Sequence, residues 1–127
     1  MYRIIFIILI ALLFACTTTR RPDGWYAVTE SNHIEGKAII NASDFEVVSL
    51  DTTSRPGSAF IVGKSKPEAI SKWADATEQR IGKRIGFVYK DSVITAPTVH
   101  CRIESGTFTI ENDNRELILE IYRSLTH

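Results

Sequence analysis

Twelve consecutive apolar residues, Ile4 to Ala15, follow Arg3 and stop at Cys16, where the polar Thr17-Thr18-Thr19-Arg20-Arg21 begins. Wound as a helix, such a run is about 18 Å long, whereas a hydrocarbon core of about 30 Å takes about 20 residues. The run therefore reads as an export signal rather than a stable transmembrane helix, and it takes itself out of the fold. What remains of the 127 residues is enough for one domain and too little for two. The 15 basic residues balance 15 acidic ones, so the chain lacks the cluster of cations with which nucleic-acid binders neutralise phosphates. DNA and RNA are excluded as partners.

The bond before Cys16 lies in Leu13-Phe14-Ala15-Cys16, which resembles the lipobox of bacterial lipoproteins: an aliphatic residue, a tolerant position, a small residue and the cysteine that takes the lipid. The resemblance implies a signal peptide over 1–15, a lipidated N-terminus and tether over 16–23, and a folded domain over 24–127. The partner at that end is then a membrane, held by acyl chains on Cys16. One acyl chain holds only marginally and several hold durably. Thr17 rather than Asp after the cysteine favours the outer membrane under the sorting rule of some Gram-negative bacteria. The mature chain of 112 residues carries 14 basic and 15 acidic side chains, and a domain of that size buries about two-thirds of its unfolded surface without needing disulfides or metal. Lipidation takes one thiol of two and leaves Cys101 without an intramolecular partner.

Within 24–127 two stretches carry helical period. Ser65 and Glu68 have the spacing of a capping box, Pro67 suits a first turn and Gly82 suits a left-handed stop, so a helix is expected from about Lys66 to Ile81. Its inward stripe is Ile70, Trp73, Ala74, Thr77 and Ile81. A second helix is expected from about Asn114 to Leu125, with Asp113 and Glu116 as capping pair and Leu117, Ile118, Ile121 and Leu125 facing in. Elsewhere the period drops to two, marking strands at Trp25–Thr29, Lys37–Ile40, Glu46–Asp51, Ala59–Val62, Arg84–Tyr89, Val99–Ile103 and Thr107–Ile110. Strands, helix, strands, helix is the order of an α+β layer, a mainly antiparallel sheet with two helices packed on one face.

Three local expectations follow. Pro97 cannot donate to a ladder, so Val93 to Val99 belongs at a sheet edge or at a bulge; Trp25 to Thr29 either folds back over that edge or leaves it open. Ile85, Phe87 and Tyr89 share one face, while Val88 joins Val48, Leu50 and Ile61 on the other, which is too apolar to be fully wet. Val99, Cys101 and Ile103 share the buried phase, which makes Cys101 an inert core thiol and removes His100-Cys101 as a catalytic pair.

Chemistry is thinly represented. His33, His100 and His127 have no metal-ligand spacing, so no metal and no cofactor is expected. Asp23, Asp44, Asp51 and Asp91 fall in turns, where carboxylates cap backbone amides. No phosphate-cradling or nucleophile-elbow motif is present. Trp25-Tyr26 suits core or edge packing, or a binding platform; Lys83-Arg84 suits the end of the first helix better than an anion site.

The stretch Ile81-Gly82-Lys83-Arg84-Ile85-Gly86-Phe87-Val88-Tyr89, followed by Lys90-Asp91-Ser92-Val93-Ile94-Thr95-Ala96-Pro97-Thr98-Val99, resembles the head of the large periplasmic domain of SecD and SecDF, membrane subunits that assist protein export. In that family a helix ending near a Thr and a Gly leads into a G-K-R strand, a turn and a strand running into Ala-Pro, as Thr77, Gly82-Lys83-Arg84, Asp91 and Ala96-Pro97 do. Ala42-Ser43-Asp44-Phe45 is similar to its first polar turn, and Ile103 to Ile110 with the last helix to its closing elements. The resemblance implies a head without the membrane-spanning helices and base subdomain that hold it in SecD, and no catalytic residue carries over. It implies a binding module for unfolded or extended polypeptide. The edge marked by Pro97 and the apolar second face then place the expected contact residues at Val93, Thr95, Pro97 and Val99 and at Val48, Leu50, Ile61 and Val88. The alternative is an assembly lipoprotein that docks on one folded envelope protein.

Overall fold

A computed structural model describes residues 20–126. The expected signal segment and the first half of the tether, Cys16 included, lie outside the described residues. The domain is α+β and antiparallel, with its strands divided between two sheets. Strands β1 (Gly24–Val28), β2 (Ile34–Asn41), β5 (Arg84–Tyr89) and β6 (Ser92–Thr95) form the first, in the order β2-β1-β5-β6. Strands β3 (Phe45–Asp51), β4 (Phe60–Ser65) and β7 (Thr107–Glu111) form the second, in the order β3-β4-β7. A single 3-10 turn, Ala42–Asp44, carries the chain from β2 into β3, and the Asp44 carboxylate accepts from the Asn41 amide at 2.9 Å. Helix α1 (Pro67–Gln79) lies against β2 and β4, and α2 (Arg115–Leu125) against β3 and β4.

Aromatic rings fill the space between the sheets. Trp25 of β1 is 2% exposed and stands 5.5 Å from Trp73 of α1, 5.5 Å from Phe87 of β5 and 5.6 Å from Phe108 of β7, centroid to centroid. Gly63 in β4 has to be glycine, because an added Cβ would collide with the Phe108 ring that lies across it. Ile61, Ile110, Ile118 and Ile121 complete the core, all fully buried.

Both helices begin one residue away from their expected caps. Ser65 ends β4, and its buried hydroxyl donates to the Gly106 carbonyl at 3.2 Å, so it cannot cap α1; Lys66 takes the cap position and Pro67 opens the helix. Ala69, Trp73, Ala74 and Thr77 form its buried stripe, whereas Ile81 falls past the helix and is exposed. Asn114, not Asp113, caps α2, its side-chain oxygen accepting from the Leu117 amide at 3.1 Å.

The expected strand Val99–Ile103 is absent. Only Val99 bridges, to Ile81, and the chain then runs irregularly to Gly106. Helix α1 has captured this loop: Arg102 reaches Asp75 at 2.9 Å and Glu78 at 3.0 Å, and the Ile103 amide donates to the Thr77 hydroxyl at 2.9 Å. An alternation that looks like a strand is thus held instead by a helix, through one hydrogen bond from a main-chain amide and a pair of side-chain ion pairs. As a result Cys101 is exposed, and the buried thiol expected from strand phase is corrected.

The expected apolar face of Val48, Leu50, Ile61 and Val88 is also corrected. The first three belong to the second sheet and pack into the core, while Val88 is fully buried in the first. Equal phase in sequence leads to different places once the strands part into two sheets. Finally, β1 does not fold back over β6. It lies between β2 and β5, with β5 separating it from β6.

Candidate functional site

Strand β6 is an edge strand that ends at Thr95, two residues before Pro97. Beyond it the chain stays beside β5 without a regular ladder: the Ile85 amide donates to the Pro97 carbonyl at 3.2 Å, and Arg84 bridges to Thr98. The Asn112 side chain donates to the Ile94 carbonyl at 2.8 Å, occupying one acceptor on the strand. Where β6 stops, an apolar pocket of about 390 Å³ opens between the sheets. Its floor is made by Trp25, Trp73, Ile85 and Phe108, and its rim by Thr95, Pro97, Val99 and Cys101.

The floor holds an unusual donor. Trp73 gives its indole N–H to the Thr107 carbonyl at 3.1 Å, whereas the indole N–H of Trp25 is buried with no partner. A buried donor left unmade costs about 1–3 kcal/mol, a cost the core carries at Trp25. The rim is fixed by two arginines. Arg102 anchors the loop to α1, and its guanidinium is held in the charged form first by its hydrogen bond to Asp75. Arg84 donates to the carbonyls of Ala96 at 3.0 Å, Thr29 at 3.1 Å and Glu30 at 3.3 Å. It therefore joins three chain segments, rather than serving the end of α1 as its position after the helix suggests. The carbonyl there is served by Arg80, whose amide caps the last turn while its guanidinium reaches the Val28 and Arg84 carbonyls.

Of the expected contact residues, Thr95, Pro97 and Val99 come together on the rim. Val93 is on the same strand but pairs with Val88, away from the pocket. Val48, Leu50, Ile61 and Val88 take no part in its lining. Trp25 reads in sequence as core or edge packing or a binding platform and Trp73 as core, and no sequence signal joins the two; only their convergence beneath an interrupted strand makes a cavity. His100 and Cys101 are exposed on the rim, and no group of three metal-ligating side chains occurs among the described residues.

These features define an α+β domain of two antiparallel sheets around a pocket beside a strand edge. Within that class the chain belongs to the SecDF P1 head subdomain family, whose model matches residues 15–116. It is 31% identical over 100 residues to the protein translocase subunit SecD of Aquifex aeolicus (strain VF5), spanning 75% of this chain and 18% of that protein. It is 34% identical over 89 residues to SecD of Thermobaculum terrenum, spanning 69% and 16%. The chain thus covers less than a fifth of either relative. A solved structure of SecDF, described as a membrane component that enhances protein export, superposes with a TM-score of 0.64 at 25% identity over 78% of this chain and 44% of that one. A second, SecDF in a super-membrane-facing form, shares the fold with a TM-score of 0.63 at 24% identity, over 78% and 13%.

Proposed function

We propose that this chain is a lipid-anchored module on the periplasmic side of the cell envelope that holds unfolded or extended polypeptide, and that it works by binding rather than by catalysis. The observation that carries the reading is the apolar pocket beside the end of β6. An extended client can take main-chain hydrogen bonds where regular pairing stops past Thr95, beyond the Ile94 carbonyl that Asn112 occupies, while one apolar side chain enters the pocket. Family membership supports it, since the relatives are named protein translocase subunits and one solved relative is described as enhancing protein export. Burying one Leu- or Phe-sized side chain contributes about 1.5–3 kcal/mol, which alone is weaker than millimolar binding. Such a site is sequence-tolerant and fast to release. The Leu13-Phe14-Ala15-Cys16 signature supports an acylated Cys16 as the anchor, with the outer membrane favoured by Thr17.

A photo-reactive residue placed at Thr98, which is exposed on the pocket, tests this in cells, with Val47 on the far sheet as control. Client capture gives a broad smear of adducts from Thr98 and little from Val47. One sharp adduct from Thr98 assigns the chain instead to a single folded envelope partner, and no adduct removes both readings.

A further inference from the structure

On the opposite side of β1 from the aromatic pocket, a second concavity of about 470 Å³ is lined by Arg21, Lys37 and Lys72. The three come from separate places: the segment before β1, the middle of β2, and the middle of α1. No carboxylate lines the concavity. Arg21 makes a long, exposed pair with Asp91 at 3.8 Å, while Lys37 and Lys72 make no ion pair among the described residues. The Tyr26 hydroxyl in the same wall is already committed, donating to the Pro22 carbonyl at 2.6 Å. Arg21 is met only loosely by Asp91, and Lys72 also borders an adjoining hollow with Asp44 and Glu68; three cations from separate elements around a concavity without a carboxylate of its own still favour an anion there.

We infer that this concavity is a seat for the phosphate of an anionic phospholipid headgroup, and that it fixes how the domain stands on its membrane. The lipid source follows from position. Arg21 is five residues past Cys16, a reach of at most about 18 Å even when fully extended. The concavity is therefore tied close to the surface that holds the N-terminus. This proximity rests on the membrane attachment proposed above, but not on its chemistry: acyl chains on Cys16 and the apolar run Ile4 to Ala15 hold the site equally near. Because Trp25 and Tyr26 are neighbours in one strand, their side chains leave it on opposite faces. Seating the Tyr26 side on headgroups turns the aromatic pocket away from the bilayer, toward the space where a client would be.

The full chain reconstituted in vesicles tests the seat through amine labelling of each lysine, read by mass spectrometry. In vesicles containing about one-third phosphatidylglycerol, labelling of Lys37 and Lys72 is expected to fall at least about threefold relative to pure phosphatidylcholine, with Lys64 and Lys83 unchanged. Salt at about 1 M, where the screening length is about 3 Å, should restore it. Lys72→Glu, an exposed helix position, should abolish the protection of Lys37. Equal labelling in the two vesicles overturns the proposal, as does protection of Lys37 that survives Lys72→Glu or high salt. Protection of the detergent-solubilised chain by millimolar inorganic phosphate alone overturns the lipid source and leaves a soluble-anion site. The mass of the same sample reports acylation of Cys16 separately, so loss of the anchor reading and loss of the headgroup seat are distinguishable.

Discussion

Trp73 holds the first helix to both sheets through a single ring. It is 3% exposed, contacts the rings of Trp25 and Phe108, and hydrogen-bonds the Thr107 carbonyl. Truncating a core Trp typically costs about 3–5 kcal/mol. Trp73→Ala should lower the thermal midpoint by well over ten degrees in a domain of this size, and a melt displaced by less than about 1 kcal/mol would contradict the packing described. Cys101 gives the opposite expectation. Exposed on the rim, it should react with a bulky thiol reagent in the native chain within about threefold of its rate in denaturant; strong native protection would place the loop elsewhere. The two residues also show where side-chain pattern is readable. Trp73 sits on a helical stripe whose period is set by its own segment, so its burial was legible. The surroundings of Cys101 are set by Arg102 and by Asp75 and Glu78 on a distant helix, and no local period records them.

Among the elements, the strands were legible wherever a hydrophobic alternation met a ladder, as in β5, whose bounds Arg84–Tyr89 agree with the pattern. The division into two sheets was not, because it depends on the 3-10 turn at Ala42–Asp44 redirecting the chain between β2 and β3. The same limit hid the pocket: its rim was legible in Pro97, its floor was not. Helix starts are a finer case. Capping rules identify the right neighbourhood for α2 and pick the wrong residue, since Asp113 and Asn114 are equally good caps and only Asn114 directs its oxygen at the Leu117 amide. Asn114→Ala should therefore cost about 1 kcal/mol by chemical denaturation, and Asp113→Ala a few tenths. Equal losses for the two variants would reassign the cap.

For the molecule as a whole, the membrane anchor and the domain are separable predictions. Cys16→Ser should leave unprocessed precursor in the membrane fraction, detected by its mass, because lipoprotein cleavage requires the modified cysteine. Normal maturation of that variant ends the lipoprotein reading without touching the fold. The domain itself cannot be shortened from Ser31, since β1 lies between β2 and β5 and its removal would halve the first sheet. The two ends of that sheet are, moreover, fastened by different chemistry. At the Arg84 end, guanidinium groups grip backbone carbonyls, which do not titrate, and a carboxylate enters only through a long Arg80–Glu35 pair at 3.8 Å. At the Tyr89 end the fasteners are carboxylates: Asp23 accepts from the Lys90 amide at 3.0 Å, Asp91 from the Arg21 amide at 3.0 Å, and Glu120 from the Tyr89 hydroxyl at 2.8 Å. The Tyr89 hydroxyl first, and then the charge of Lys90, hold the Glu120 carboxyl below its ordinary range. A carboxyl depressed in the folded state lends stability above its unfolded value and loses it as the pH falls through the folded one. Acid should thus loosen the Tyr89 end first, through the Glu120 contact. Amide exchange at Tyr89 and Lys90 should quicken at a higher pH than at Ile85, and simultaneous release of both ends on acidification would show the two fastenings to be equivalent.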